Sequence, residues 1–139
     1  MIHSALVIHE APLALILSGA KRWEMRTIAC HKREFVGLIQ QGSGKIMGTA
    51  RIIACHGPLT DAQLSQTRPE HQTDPKLLSE RNWRYAWELA DVQRLAEPLP
   101  YTHSAGAQQW VTLNAVDVSR LDARRDKRGK SIRQILDDN

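Results

Sequence analysis

The chain has 139 residues, 42% of them hydrophobic, and a formal net charge of +4 from 19 Lys and Arg against 15 Asp and Glu. That size fits one domain with one core, and the apolar content is too high for a disordered chain. No stretch approaches the roughly 20 apolar residues that span a bilayer, and the N-terminus lacks the pattern of a secretory signal, so a cytoplasmic protein with no membrane association is expected.

In chain order, Ala5–Ile8 is short, apolar and partly β-branched, which suits a strand. Pro12 stands where a first helical turn tolerates proline, Leu13, Ile16 and Leu17 follow at helical spacing, and Gly19 occupies a C-cap position, so a helix is expected over Pro12–Ser18. Arg22–Arg26 alternates as a strand does. Phe35–Gln40 and Lys45–Ala54 read as two strands joined by the turn Gly42-Ser43-Gly44. Thr60–Gln66 looks helical, with Thr60 and Gln63 in capping-box spacing.

Thr67–Pro75 is polar, contains two prolines and is expected to be a surface loop, followed by a short helix over Leu77–Arg81. Arg84–Leu89 reads as a strand with Tyr85, Trp87 and Leu89 on one face, and Pro98 and Pro100 are expected to break the next segment. Trp110–Leu113 and Ala115–Val118 are the last strand candidates. The charge excess gathers at the end, where Arg124, Arg125, Lys127, Arg128, Lys130 and Arg133 outnumber Asp126, Asp137 and Asp138. Residues 1–121 are therefore expected to form the domain and 122–139 a basic tail able to meet phosphates without sequence preference.

Cys30-His31 and Cys55-His56 do not have the paired spacing of a zinc site, and both cysteines are expected to be buried or half-buried free thiols. The most informative stretch is Gly19-Ala20-Lys21-Arg22-Trp23-Glu24-Met25-Arg26. On a strand, Arg22, Glu24 and Arg26 share one face, while Trp23 and Met25 share the other and face the core. A carboxylate flanked by cations is held ionised, and the cations are placed to meet phosphate. Trp23, Trp87 and Trp110 are expected in the core, and Trp83, between Arg81 and Arg84, is the candidate for stacking on a base. His9 adjoins the motif as a metal-binding, general-base or hydrogen-bonded structural histidine, the last being the expectation.

The pattern Gly-x-Lys-x-x-Glu-x-Arg after a short helix resembles the signature of ASCH domains. Gly37-Leu38-Ile39, Gly48-Thr49-Ala50, Tyr85-Ala86-Trp87-Glu88-Leu89, Pro98-Leu99-Pro100-Tyr101 and Gly106-Ala107-Gln108-Gln109-Trp110 resemble further blocks of that family in the expected order. The resemblance implies an α+β fold, a PUA-like mixed β-barrel with flanking short helices. It also implies an RNA or nucleotide partner in a cleft beside the barrel. Lys21, Arg26, Arg33, Trp83, Arg84, Arg124 and Arg125 are the expected nucleic-acid contacts. No cofactor is expected for a binding module.

Some members of that family are acyl-cytidine amidohydrolases that use Lys, Thr and Glu. Lys21 matches the Lys, Glu24 stands at the Thr position, and Glu70 is the distant third candidate, so Lys21, Glu24 and Glu70 are the catalytic set if the chain is an enzyme. Others are metal-dependent ribonucleases, for which Glu24 with Glu10 or Glu88 would have to hold a divalent cation. A protein-interaction module is the remaining alternative, and it would show an exposed apolar patch.

Overall fold

The computed structural model describes residues 1–125, and the expectations for 126–139 lie outside the described residues. The element order is β1 (Ser4–Ile8), α1 (Glu10–Ser18), β2 (Trp23–Arg26), β3 (Phe35–Gln40), β4 (Lys45–His56), α2 (Asp61–Gln66), α3 (Arg68–His71), α4 (Pro75–Arg81), β5 (Tyr85–Pro100), β6 (Trp110–Thr112) and α5 (Ala115–Arg124). The strands form one six-stranded sheet in the order β2-β5-β4-β3-β1-β6. Only β1 and β3 pair in parallel; the other neighbours are antiparallel. This mixed, curled sheet with short helices agrees with the expected α+β mixed-barrel class.

The sheet bends at irregularities. Pairing of β4 with β5 shifts register at three places, and Asp91 on β5 adopts a φ of 52°. Such bulges increase local twist and turn a strand around a core. Arg26, on one edge strand, then reaches Val7 on β1 and Gln109 just before the other edge strand. One guanidinium thereby joins the two ends of the curled sheet.

Both faces of β1 are buried, which explains its continuous apolar run. Leu6 and Ile8 point into a cluster with Leu13 and Ile16 of α1, Leu38 and Trp87, while Ala5 joins Ile39, Ile46, Leu99, Val118 and Leu121 on the other side. Full burial of Leu13 and Ile16 contributes roughly 1.5–3 kcal/mol for each side chain. A third cluster of Met25, Leu64, Leu78 and Ala86 seats α2 and α4 on the β2–β5 ribbon. At Gly48, a Cβ would lie 2.5 Å from the Gln93 carbonyl oxygen and 2.7 Å from Leu17, so only glycine lets β5 and α1 approach β4 there.

Three expectations are corrected. Ala115–Val118 is helix: Asn114 accepts from the Asp117 N–H as an N-cap, and Val118 and Leu121, three apart, face the core while Val116 is exposed. Four residues were too few to distinguish a strand from a helix by periodicity. Pro98 does not break β5, which runs on to Pro100. Strand β2 covers only Tyr85–Glu88, which leaves the far half of β5 as a sheet edge where a missing N–H is tolerated. Thr67–Pro75 is no simple surface loop, because it contains α3 and buries His71 and Thr73. The capping box of Thr60 with Gln63 is present, and α1 begins two residues earlier than its pattern suggests, at Glu10.

Candidate functional site

Lys21 is placed by the end of α1. Gly19 takes the left-handed conformation at φ 88° and donates to the Ile16 carbonyl, which stops the helix. The chain folds back, the Lys21 N–H donates to the Leu15 carbonyl, and the side chain passes inward until the residue is only 2% exposed. Its ammonium donates to the His71 carbonyl at 2.5 Å and to Thr73 Oγ1 at 3.3 Å, and lies 3.8 Å from Glu24 Oε1. These three partners match the three donors of an ammonium group. Burial lowers the Lys21 pKa; Glu24 raises it in part and Arg26 lowers it further.

His71 shapes this receptor. Its Nε2 donates to the Leu64 carbonyl at 2.7 Å, and its Nδ1 accepts from the Thr73 N–H at 3.0 Å. A ring with one donor and one acceptor contact is the neutral imidazole protonated on Nε2. Burial lowers its pKa, and the nearby Lys21 and Arg68 cations act in the same direction. Thr73 Oγ1 donates to the His71 carbonyl at 2.9 Å while it accepts from Lys21.

Glu24 is 5% exposed and its other oxygen accepts from Arg26 at 2.9 Å. The Arg26 guanidinium also donates to the Val7 carbonyl at 2.9 Å and to Gln109 Oε1 at 3.2 Å, and stands over the Trp87 ring at 5.5 Å. These contacts leave part of its five-donor fork unused.

Lys21, Glu24 and Arg26 line a cleft of about 480 Å³, within the ordinary range for small-molecule sites. Its walls carry apolar groups, among them Pro12, Leu15 and Leu77. Around its opening stand His9, Gln41, Arg81, Trp83 and Gln108. Arg81 is exposed and has no acidic partner among the described residues.

The structure thus brings together Lys21, Glu24, Arg26, His9 and Trp83. It does not bring in the rest. Arg22 leaves the face it was expected to share with Glu24, because β2 begins only at Trp23. It bonds Glu70 at 2.8 and 2.5 Å on the outside, and neither residue lines the cleft. Arg33 donates to the Cys30 and Lys32 carbonyls, Arg84 pairs with Asp61, and Arg125 covers the Phe35 ring at 4.8 Å. Arg124 lies exposed in the last turn of α5. Trp87 is in the core as expected, whereas Trp23 and Trp110 are half-buried, stacked on His56 and on Trp87. Cys30 is buried and Cys55 half-buried, both free, as their spacing implied.

Glu24 and Glu88 are each already paired with basic side chains. The Glu24 oxygens face two cations, Glu88 accepts from His56 at 2.7 Å, and no three potential ligands converge among the described residues. Sequence reasoning missed His71 and Thr73. Both fall in a stretch with neither period nor motif, and only the fold shows them against Lys21.

No family model matches the sequence, and no curated protein matches it. Solved structures do. The ASCH protein of Zymomonas mobilis superposes with a TM-score of 0.71 at 14% identity, over 86% of this chain and 93% of that one. Two single-substitution variants of the same protein each give a TM-score of 0.70 at 14% identity, over 86% of this chain and 94% and 96% of theirs. At that coverage the likeness concerns nearly the whole described domain, and this chain has the fold of that ASCH protein, a mixed, curled six-stranded sheet with short helices.

Proposed function

We propose that the cleft binds a nucleotide unit of RNA. The observation that carries this reading is the cleft's composition: a buried Lys21–Glu24–Arg26 cluster at its floor, an indole at its wall and, at its opening, an exposed arginine with no acidic partner among the described residues. A base needs a flat apolar or aromatic surface and a few fixed polar groups, and a phosphate needs an accessible cation. Trp83 supplies the first, and Arg26 with Gln41 and Gln108 the second. Arg81 supplies the third. Lys21 is better suited to hold the floor together than to touch phosphate, since all three of its donors are engaged. The exposed apolar side chains Leu15 and Leu77 belong to the cleft, which favours this reading over a protein-docking face.

Fluorescence titration with mononucleotides and short RNA at two salt concentrations tests the reading. Affinity is expected to fall as salt rises, and Arg81→Ala with Trp83→Ala is expected to weaken binding by about tenfold or more. Absence of binding at low salt, or unchanged binding by that double variant, removes the proposal.

One observation favours a hydrolytic second reading. A lysine whose pKa is lowered by burial contacts a hydroxyl, Thr73 Oγ1, that also lines the cleft. Unprotonated, Lys21 could accept the Thr73 proton as Oγ1 bonds to an acyl carbonyl; the C–N bond then breaks, the amine leaves with that proton, and water releases the acyl group. Glu70, held by Arg22 outside the cleft, has no part in this arrangement. Incubation with acylated cytidine is the test: turnover in wild type with loss by at least a hundredfold in Thr73→Val supports it, by the usual size of a nucleophile effect. No turnover in wild type, or turnover retained in that variant, ends it.

A further inference from the structure

We propose that a second nucleotide subsite adjoins the cleft, on the Tyr101–His103 pair, so that the protein holds two consecutive nucleotides of single-stranded RNA. This rests on the RNA-nucleotide reading above and extends it. A second depression of about 460 Å³ lies beside the first and shares Val7, Gln41 and Gln108 with it. Those shared residues form the ridge between the two. Trp83 belongs to the first depression alone, and Tyr101 and His103 to the second alone.

The aromatic pair is arranged to present ring surface. His103 Nε2 donates to the Ala107 carbonyl at 2.8 Å, so in the neutral ring Nδ1 is the acceptor. The Tyr101 hydroxyl donates to that Nδ1 at 2.8 Å. Both polar tips are therefore satisfied inside the loop, and burial raises the Tyr101 pKa, which keeps the phenol in its donor form. The rings stand 5.7 Å apart at 60°, with His103 exposed and Tyr101 half-buried. The Tyr101 N–H is tied to the Gly44 carbonyl at 3.3 Å, which anchors the pair to the β3–β4 turn. Aromatic faces of this kind accept any base by stacking.

The ridge adds polar recognition. Gln41 and Gln108 are exposed, and neither side chain has a hydrogen-bond partner among the described residues. A carboxamide carries two donors and an acceptor, which suits a base edge or a ribose 2′-hydroxyl. A strand crossing this ridge would place one base against Trp83 and the next against the Tyr101–His103 pair. A lone nucleotide fills one depression and leaves the other empty.

The test compares a mononucleotide with the corresponding ribodinucleotide by calorimetric titration. The dinucleotide is expected to bind about tenfold or more tightly, one additional stacked base. Tyr101→Ala should remove that increment and leave mononucleotide affinity unchanged. His103→Ala, at an exposed position, should remove most of it and keeps the test decisive if Tyr101→Ala does not fold. Equal affinity for the two ligands in wild type, or variants that weaken both ligands alike, overturns the second subsite while leaving the first intact. No binding of either ligand overturns both.

Discussion

Glu24→Gln is expected to destabilise the domain by about 3–5 kcal/mol, the usual effect of removing one partner from a buried charge cluster. The floor of the cleft holds two cations around one carboxylate, and Glu24 is the member that neutralises both. Without it, Arg26 remains charged, because a guanidinium does not deprotonate in a protein. Lys21 can shed its proton, a direction in which its pKa is already displaced by burial. Lys21→Met in the Glu24→Gln background should therefore recover part of the loss, since it removes either an uncompensated charge or the cost of neutralising it, and keeps similar volume. Arg26 retains the Val7 carbonyl and Gln109 as acceptors in both variants. Urea unfolding of the wild type, the single variant and the double variant measures this. A loss below about 1 kcal/mol for Glu24→Gln would place the cluster with solvated ion pairs, and failure of Lys21→Met to restore stability would show that charge repulsion is not the cause.

The same cluster shows what a sequence discloses and what it withholds. The α1 helix, its glycine stop and the β2 alternation are local features, and the spacing of Lys21, Glu24 and Arg26 follows from them directly. Binary alternation places Glu24 and Arg26 together because side chains two apart on a strand share a face. It does not say whether that face meets solvent or the far edge of the sheet. The answer depends on long-range closure, in which Arg26 reaches Val7 and Gln109. Arg22 departs from the pattern for the related reason that a strand boundary is uncertain by a residue or two, and one residue decides whether it joins the cleft or Glu70. His71 and Thr73 are legible only in three dimensions, since Lys21 meets them across 50 and 52 residues of chain. Arg33, Arg84 and Arg125 were drawn toward phosphate by their charge, and each instead has a nearby structural partner.

Stability is expected to fall more steeply on acidification in wild type than in His71→Asn. The folded His71 has its pKa lowered from 6.5 by burial, with Lys21 and Arg68 adding to the shift. The unfolded chain therefore takes up a proton first as pH falls through about 6.5. In that window the unfolded state binds more protons than the folded state, so the free energy of unfolding decreases as pH decreases. The slope from this one group approaches about 1.4 kcal/mol per pH unit until the folded imidazole itself protonates. Protonation would place a hydrogen on Nδ1, where the Thr73 N–H now donates, and so break the contact that holds Thr73 against Lys21. His71→Asn should cost about 1–3 kcal/mol at pH 7.5, because the buried Leu64 carbonyl and Thr73 N–H lose part of their pairing. The remaining histidines and the carboxylates are common to both proteins and cancel in the difference. Urea titrations from pH 7.5 to 5 measure it: the gap between wild type and variant should narrow as pH falls below 6.5. A gap that stays constant across that range would show that His71 titrates alike in the folded and unfolded chains, and the burial argument for the Lys21 receptor would fall with it.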